Sequence, residues 1–196
     1  MTQELWLAVM KTNPSHFSDE SNGRRPVETV TWDDCRSFID KINQSDVGKA
    51  GLKLTLPTEA EWEYACRAGT TTRYSFGDEI SLEQANYWRE GAKTNETTEV
   101  GDYPANPWGL YDMHGNVWEW CFDWYDGQYY AASGVVNPVG PEKGHSRVLR
   151  GGCWSYSAQL ARSAFRDDYG PGYRNYFIGF RCAQVHSGAR MEWRDA

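Results

Sequence analysis

The sequence predicts a loop-rich α+β domain, and three observations support this class. Capped amphipathic helices fill much of the first 70 residues, and a short run of alternating leucines lies between two of them. Beyond that point regular periodicity is scarce, and Gly, Thr, Asn and Glu alternate with isolated aromatic residues. A chain of 196 residues has the length of one domain. We place that domain at residues 1–185, followed by a polar tail at 186–196.

Two helices are predicted before residue 50. Thr2 is a suitable N-cap for the first, which carries Leu5 and is stopped by the Asn-Pro pair at 13–14. Thr31, with acidic residues at 33 and 34, begins the second helix, which ends before Gly48. Four apolar residues recur at the i, i+3, i+4, i+7 spacing of one buried face: Cys35, Phe38, Ile39 and Ile42.

A short strand and a third helix follow. Leu52, Leu54 and Leu56 alternate with the period of a strand. The stretch Pro-Thr-Glu-Ala-Glu at 57–61 contains a capping box, and the helix that it begins ends at Gly69. The buried side of this helix is predicted to consist of Trp62, Ala65 and Cys66.

Charge and hydropathy exclude several kinds of partner. The formal net charge is -7 and no run of Lys or Arg occurs, which argues against nucleic acid or an anionic membrane surface. No apolar run is long enough for a membrane span or a signal peptide, so we expect no direct membrane insertion. The compartment stays open, and display on a cell or phage surface would need a leader before Met1. Five widely spaced cysteines form no CxxC or Cys/His zinc pattern.

The C-terminal segment 147–182 has the composition of a binding surface. A framework of apolar and Arg positions alternates in it with Tyr, Ser, Asp, Gly, Asn and Phe, the residue types that dominate antibody paratopes. No helical or strand period places so many aromatic residues on one buried face. The alternative is an aromatic loop that packs on its own domain. The predicted ligand-binding residues, within a variable region at about 153–178, are Ser155, Tyr156, Ser157, Leu160, Phe165, Asp167, Asp168, Tyr169, Gly170, Gly172, Tyr173, Asn175, Tyr176 and Phe177.

The stretch Gly-Leu-Tyr-Asp-Met-His-Gly-Asn-Val-Trp-Glu-Trp at 109–120 is dense in residues that could hold a cation. Carboxylates at Asp112 and Glu119 alternate with backbone carbonyls at Gly115 and Val117, which are the oxygen ligands that Ca²⁺ prefers. Spacing alone favours the alternative that the two carboxylates accept buried backbone donors or pair with Arg. His114 beside them reads as a solvent-facing or packing residue.

Several motifs occur together in a typical order: RPVETVTWDDC, LPTEAEWEYACRAG, ANYW, GLYDMHGNVWEW, RVLRGGCW, ARSAFR and IGFRC. This series resembles the sulfatase-modifying-factor domain of the formylglycine-generating-enzyme family, a variant of the C-type lectin fold. The resemblance spans nearly the whole chain. It implies an α+β fold with small twisted antiparallel sheets, flanking helices and much irregular structure.

The resemblance also implies metal and cysteine roles. It places a structural Ca²⁺ on the Asp112, Gly115, Val117 and Glu119 set and a second Ca²⁺ at Asn86 and Tyr87, whose further acidic ligand does not align clearly. It implies a disulfide between Cys66 and Cys182, whereas the residues themselves are equally compatible with a buried reduced pair.

The catalytic features of the formylglycine-generating enzymes do not carry over. Those enzymes bind copper with two cysteines that follow the Gly-Gly pair, because a cuprous ion needs soft thiolates. The matching positions here are Tyr156 and Ala161, and Cys153 is a lone thiol nearby. We therefore expect no copper and no catalysis of this type. An oxidoreductase of the same family with a relocated active site is the alternative.

A non-enzymatic branch of the fold matches better. Residues 147–181 resemble the C-terminal segment of the variable proteins of diversity-generating retroelements, in which framework residues separate positions diversified by mutagenesis of AAY codons. Every predicted ligand-binding residue here belongs to the set that such codons can reach. The resemblance implies a displayed surface that binds a protein or other macromolecule, with no chemistry.

Overall fold

The structure is a computed structural model that describes residues 1–18, 23–51, 53–92, 95–132 and 136–184. Leu52 of the predicted strand and the tail at 186–196 lie outside these residues. No helix in the described part of the chain combines the length and the apolar character that crossing a membrane requires.

The N-terminal helices begin where their capping residues predict. The Thr2 side chain accepts the Leu5 N–H to cap α1, Gln3–Met10, and Thr31 forms a capping box with Asp34 at the start of α2, Trp32–Gln44. A short helix α3, Asp46–Lys49, follows α2 directly, so that Gly48 lies inside a helix instead of beyond one. The Ser45 side chain caps this extra turn by accepting the Gly48 N–H.

The third predicted helix is α4, Glu59–Arg67, and its capping box joins Thr58 to Glu61 as expected. It ends at Ala68, which has a left-handed φ of 46° one residue before Gly69. The described residues from 69 to 117 then contain no helix and none of the six strands. The remaining helical turns are short. These are α5, Tyr129–Ala132, and a 3-10 turn, Ala158–Ala161.

Two small sheets hold the chain together. Strand β1, Leu54–Thr55, pairs antiparallel with β6, Ala183–Gln184, which brings the two halves of the chain into contact. The second sheet has the order β4-β3-β2-β5. Its strands are β2 Trp118–Trp124, β3 Arg147–Arg150, β4 Asp167–Tyr169 and β5 Ile178–Phe180. The expectation of antiparallel sheets is wrong for one pair, because β5 runs parallel to β2 after a long excursion through β3 and β4.

Strand β2 separates two hydrophobic clusters and is buried at all 7 positions. Trp118, Trp120 and Phe122 pack with α1 and α2 in the larger cluster. Cys121, the side chain between two of them, packs with Trp62 of α4 in the smaller one. This alternation between two buried faces explains why the sequence shows no polar–apolar period here.

Two buried arginines on β3 complete the centre of the molecule. The Arg147 guanidinium lies between the rings of Trp32 and Trp124, 3.8 Å and 3.4 Å from their centroids, and donates to the Phe122 carbonyl at 2.7 Å. Arg150 is fully buried and pairs with Glu59 and Glu63 of α4. These contacts fix α4 against the sheet.

We expect Arg150→Ala to lower the free energy of unfolding by about 3–5 kcal/mol, because it removes a fully buried cation shared by Glu59 and Glu63 and leaves a cavity, while Arg166 still contacts Glu59. Urea denaturation followed by circular dichroism measures the change. Lys49→Ala is the matched control, since Lys49 and its partner Asp46 are exposed and such pairs contribute about 0.5 kcal/mol or less. Equal losses in the two variants would contradict a structural role for the buried cluster.

Candidate ligand-binding surface

The main chain of the variable region is held by donors from outside it. The Trp88 N–H donates to the Tyr156 carbonyl at 2.9 Å, and the Thr29 N–H donates to the Asn175 carbonyl at 3.0 Å. The Trp32 N–H, at the start of α2, donates to the carbonyl at 171 at 3.0 Å. Because these bonds end on backbone oxygens, they do not depend on the side chains that the region carries.

Buried side chains add further bonds to the same main chain. The His114 ring binds the Ala161 carbonyl through Nδ1 at 2.7 Å, while its Nε2 accepts the Ser75 N–H at 3.1 Å. The pair of bonds defines a neutral ring with the proton on Nδ1. Burial accordingly lowers the pKa of His114 to about 4. Tyr74 donates to the Ala158 carbonyl at 2.8 Å, so both ends of the 3-10 turn are fixed.

Most of the predicted ligand-binding residues reach the surface. Tyr156, Tyr173 and Tyr176 are 40%, 38% and 42% exposed. Ser157, Gly170 and Gly172 are also exposed. The remaining members of the set are partly buried, with one exception, and these are Ser155, Leu160, Phe165, Asp167, Asp168, Tyr169 and Asn175.

Phe177 is the exception, and its assignment to the surface is wrong. It is only 7% exposed and belongs to the larger hydrophobic cluster, because it immediately precedes the buried strand β5. Tyr156 and Tyr176 stand edge-on to its ring, with centroids 5.8 Å and 5.5 Å away. Phe177 therefore supports two exposed tyrosines from below.

A second group of rings lies around β4 and the turn after it. Tyr169 and Tyr173 stack with centroids 4.3 Å apart and an interplanar angle of 15°. The Asn175 amide donates to the Tyr173 hydroxyl at 2.9 Å, which fixes the outer ring. Successive strand residues face opposite sides, so Asp167 shares the face of Tyr169 and Asp168 faces away.

Three aromatic residues outside the variable region border this surface, and sequence reasoning missed them. Trp88 is 55% exposed and lies beside Tyr156, whose backbone carbonyl accepts a hydrogen bond from the Trp88 N–H. His16 and Phe17 lie at the opposite rim, with ring centroids 5.4 Å and 6.0 Å from Tyr176. These three residues are distant in the sequence from residues 153–178, and no local sequence pattern links them to that region.

Cys153 lies beneath the same surface as a buried thiol. Its side chain is 1% exposed, and its Sγ is 3.2 Å from the Ser155 hydroxyl. Burial raises its pKa to about 11, so the reactive thiolate is scarce at neutral pH. No second thiol stands at Tyr156 or Ala161, the two positions that would complete a copper pair.

The two carboxylates predicted to bind calcium are occupied by nitrogen donors. Arg181 contacts both Glu119 oxygens, with Nη2 2.8 Å from Oε1, and the Trp62 indole nitrogen is 2.6 Å from Oε2. Asp112 accepts the Gly101 N–H at 2.8 Å. The guanidinium already supplies the cation beside Glu119 and would repel a second one. As arranged, the Glu119 carboxylate forms an ion pair, which is the alternative that spacing favoured.

The other members of the two calcium sets are held by hydrogen bonds or by burial. The Gly115 N–H donates to the Gly151 carbonyl at 2.7 Å, and Val117 is buried beside β2. The Asn86 amide donates to the Glu96 carbonyl at 2.9 Å, while the Tyr87 hydroxyl donates to the Ile80 carbonyl at 3.0 Å. No group of three or more His, Cys, Asp or Glu side chains in the described part of the chain is placed to hold a metal.

The disulfide between Cys66 and Cys182 is not formed, and both residues are free thiols. Cys66 lies in the smaller cluster, with Sγ 3.6 Å from the Ser163 hydroxyl and 3.8 Å from His114 Nε2. Cys182 packs against the larger cluster on the other side of β2. The separation of the two clusters explains why the implied pairing is wrong here.

Residues 1–186 match the family described as "Sulfatase-modifying factor enzyme 1-like domain". The chain belongs to this family. A formylglycine-generating enzyme from Streptomyces coelicolor is 39% identical over 210 residues, which cover 95% of this chain and 64% of that protein. A protein from Chlamydia caviae titled serine/threonine-protein kinase pkn1 is 46% identical over 164 residues, covering 82% of this chain and 24% of the relative.

Solved structures of the family confirm the C-type lectin-like fold. Treponema denticola variable protein 1 superposes with a TM-score of 0.83 at 32% identity, covering 93% of this chain and 81% of that one. PvdO from Pseudomonas aeruginosa superposes with a TM-score of 0.78 at 27% identity, covering 93% and 77%. The proteins similar to this chain thus include enzymes and a variable protein. The chain spans about a quarter of the length of the relatives named as kinases and under two thirds of the length of the Streptomyces enzyme.

We expect neither Ca²⁺ nor the chelator EGTA to change the melting temperature, because a cation must displace Arg181 from Glu119 before it can bind. A ligand that binds only the folded state at 100 times its Kd stabilises by about 2.7 kcal/mol, which thermal unfolding detects readily. Glu119→Gln is the comparison variant and should melt lower, since it weakens the buried ion pair. A calcium-dependent rise in the melting temperature of the unaltered protein, absent in Glu119→Gln, would instead establish the metal site.

Proposed function

We propose that this domain is a non-catalytic ligand-binding protein that displays an exposed aromatic and small-polar surface on a C-type lectin-like scaffold. The observation that carries the proposal is that Tyr156, Tyr173 and Tyr176 are exposed while the main chain of the variable region is held by donors from outside it. The expected ligand is a protein or other macromolecule, since the surface is broad and its rings are spread over it.

Two further observations support the proposal. Exposed tyrosines provide large contact area at low cost in conformational entropy, and each can contribute about 2 kcal/mol at a binding hot spot. The similarity to a solved variable protein extends over 93% of this chain. Because the predicted ligand-binding residues of that region are all reachable from AAY codons, we infer that this chain is one variant of a diversified set.

Alanine substitution separates surface tyrosines from core aromatics. We expect Tyr156→Ala and Tyr173→Ala each to lower the free energy of unfolding by about 1 kcal/mol or less, as is usual for exposed positions. Phe177→Ala is the matched control and should cost about 3–5 kcal/mol, because it leaves a cavity. Urea denaturation measures all three. If the tyrosine variants lose as much stability as Phe177→Ala, the rings are core and the proposal fails.

Binding capacity itself is tested with a displayed library. Randomising Tyr156, Ser157, Gly172, Tyr173 and Tyr176 on phage should retain folding and yield binders to an immobilised model protein such as hen egg-white lysozyme. A library of equal size randomised at buried framework positions should yield none. Absence of binders from the first library, despite retained folding, would contradict a surface built for recognition.

The second candidate function is oxidation of a substrate cysteine to formylglycine, because the family includes formylglycine-generating enzymes more than 30% identical to this chain. Cys153 is the thiol nearest to the corresponding site, but the burial that raises its pKa disfavours metal ligation by its thiolate.

A direct assay decides between the two candidates. The protein is incubated with copper, oxygen and a cysteine-containing sulfatase peptide, and mass spectrometry measures formylglycine, with a formylglycine-generating enzyme as positive control. We expect no conversion above the rate without protein. Turnover that is abolished by Cys153→Ser and retained by Cys121→Ser would establish an enzyme and overturn the non-catalytic proposal.

A further inference from the structure

Four side chains of the binding surface form one group around β4: Tyr156, Asp167, Tyr169 and Tyr173. The Tyr169–Tyr173 stack forms one side of the group. Burial raises the pKa of Tyr156 and of Tyr169, and in both cases the charge of Asp167 raises it further. Asp167 lies two residues before Tyr169 in β4, so its carboxylate is on the side of the sheet that carries the stacked rings. We call this group the tyrosine–aspartate site.

The carboxylate of this site has no cationic partner among the described residues. Asp167 Oδ1 accepts the Asp168 N–H at 2.9 Å, and no ion pair to Asp167 is formed. Burial, opposed by that hydrogen bond and reinforced by the charge of Asp168, raises its pKa, and no arginine or lysine contributes to the shift. A half-buried carboxylate without a counter-ion gains strongly from a cation that a ligand brings.

The arginines of the variable region are all engaged elsewhere. Arg162 donates to the Gln159 carbonyl at 2.8 Å and lies over the Phe165 ring. Arg166 makes a two-bond contact with Glu59 at 2.6 Å and 2.8 Å, and Arg174 lies 3.7 Å from Asp34. Neutralisation of Asp167 by the protein itself would require one of these contacts to break.

From this geometry we infer that the tyrosine–aspartate site binds a cationic side chain of the ligand, an arginine or a lysine at the surface of a partner protein. The inference rests on the proposed function and specifies the chemistry of its ligand. Tyrosine faces attract cations through their quadrupole, and a partly desolvated carboxylate adds a charge-assisted hydrogen bond. Tyr156 and Tyr173 are accessible enough to contact such a group directly.

The neighbouring carboxylate provides a built-in control. Asp168 follows Asp167 in the edge strand β4 and carries the same charge, but its side chain faces the other side of the sheet. A general preference for basic ligands, arising only from the net charge of the protein, would depend equally on both residues. A specific site depends on Asp167 alone.

The experiment is an NMR titration of the isotope-labelled protein with Nα-acetyl-arginine amide. Nα-acetyl-citrulline amide, which has nearly the same shape and no charge, is the matched neutral probe. We expect saturable shifts at residues 156 and 167–173 with the arginine probe only. Asp167→Asn keeps an oxygen that can accept the Asp168 N–H, and it should weaken binding about tenfold, the loss of one charge-assisted bond. Asp168→Asn should change the affinity less than about twofold.

Three results would overturn the inference. They are saturable binding of the citrulline probe with equal affinity, equal weakening by the two Asn variants, and absence of saturable binding by the arginine probe. Each variant is first shown to melt like the unaltered protein. Failure of the inference is distinguishable from failure of the proposed function, because the latter appears as unfolding of Tyr156→Ala and not as a change in affinity for arginine.

Discussion

The structure depends on the way in which residues outside the variable region hold the main chain of a segment that exposes Tyr156, Tyr173 and Tyr176. Donors at Thr29, Trp32 and Trp88 come from two parts of the chain that are distant from this segment, and all end on backbone carbonyls between 156 and 175. A backbone bond survives any substitution that leaves φ and ψ allowed. The segment can therefore carry many combinations of side chains while its backbone conformation stays the same.

The donors are themselves fixed by the buried centre of the molecule. Trp32 begins α2, its ring covers the Arg147 guanidinium, and its indole N–H donates to the Cys121 carbonyl at 2.9 Å. Arg150, on the same strand as Arg147, links the sheet to α4 and donates to the Phe165 carbonyl within the segment. Rigidity in this irregular fold thus comes from buried arginines and tryptophans more than from long regular elements.

Local signals allowed the sequence to predict the helices but not the sheet. Thr2, Thr31 and Thr58 are caps whose partners lie within three residues, so α1, α2 and α4 begin where expected. Strand β2 is buried on both faces and has no alternating period, and its partners β3 and β5 are distant in the chain. The ligand surface was predicted from composition, yet Phe177 was misplaced and Trp88 was missed. Both errors concern which residues the tertiary fold buries or brings together.

The position of the surface explains how one fold can support either catalysis or recognition. Tyr156 and Ala161 occupy the positions at which the resemblance to formylglycine-generating enzymes requires cysteines, directly beside the buried Cys153. Catalysis there needs two thiols in a fixed arrangement, whereas recognition needs only a fixed backbone and exposed rings. The hydrogen bonds from His114 and Trp88 end on backbone carbonyls, so they form whether the segment carries thiols or exposed rings. In the proposed function, replacement of the two thiols removes the chemistry, the scaffold stays intact, and the same site binds a ligand.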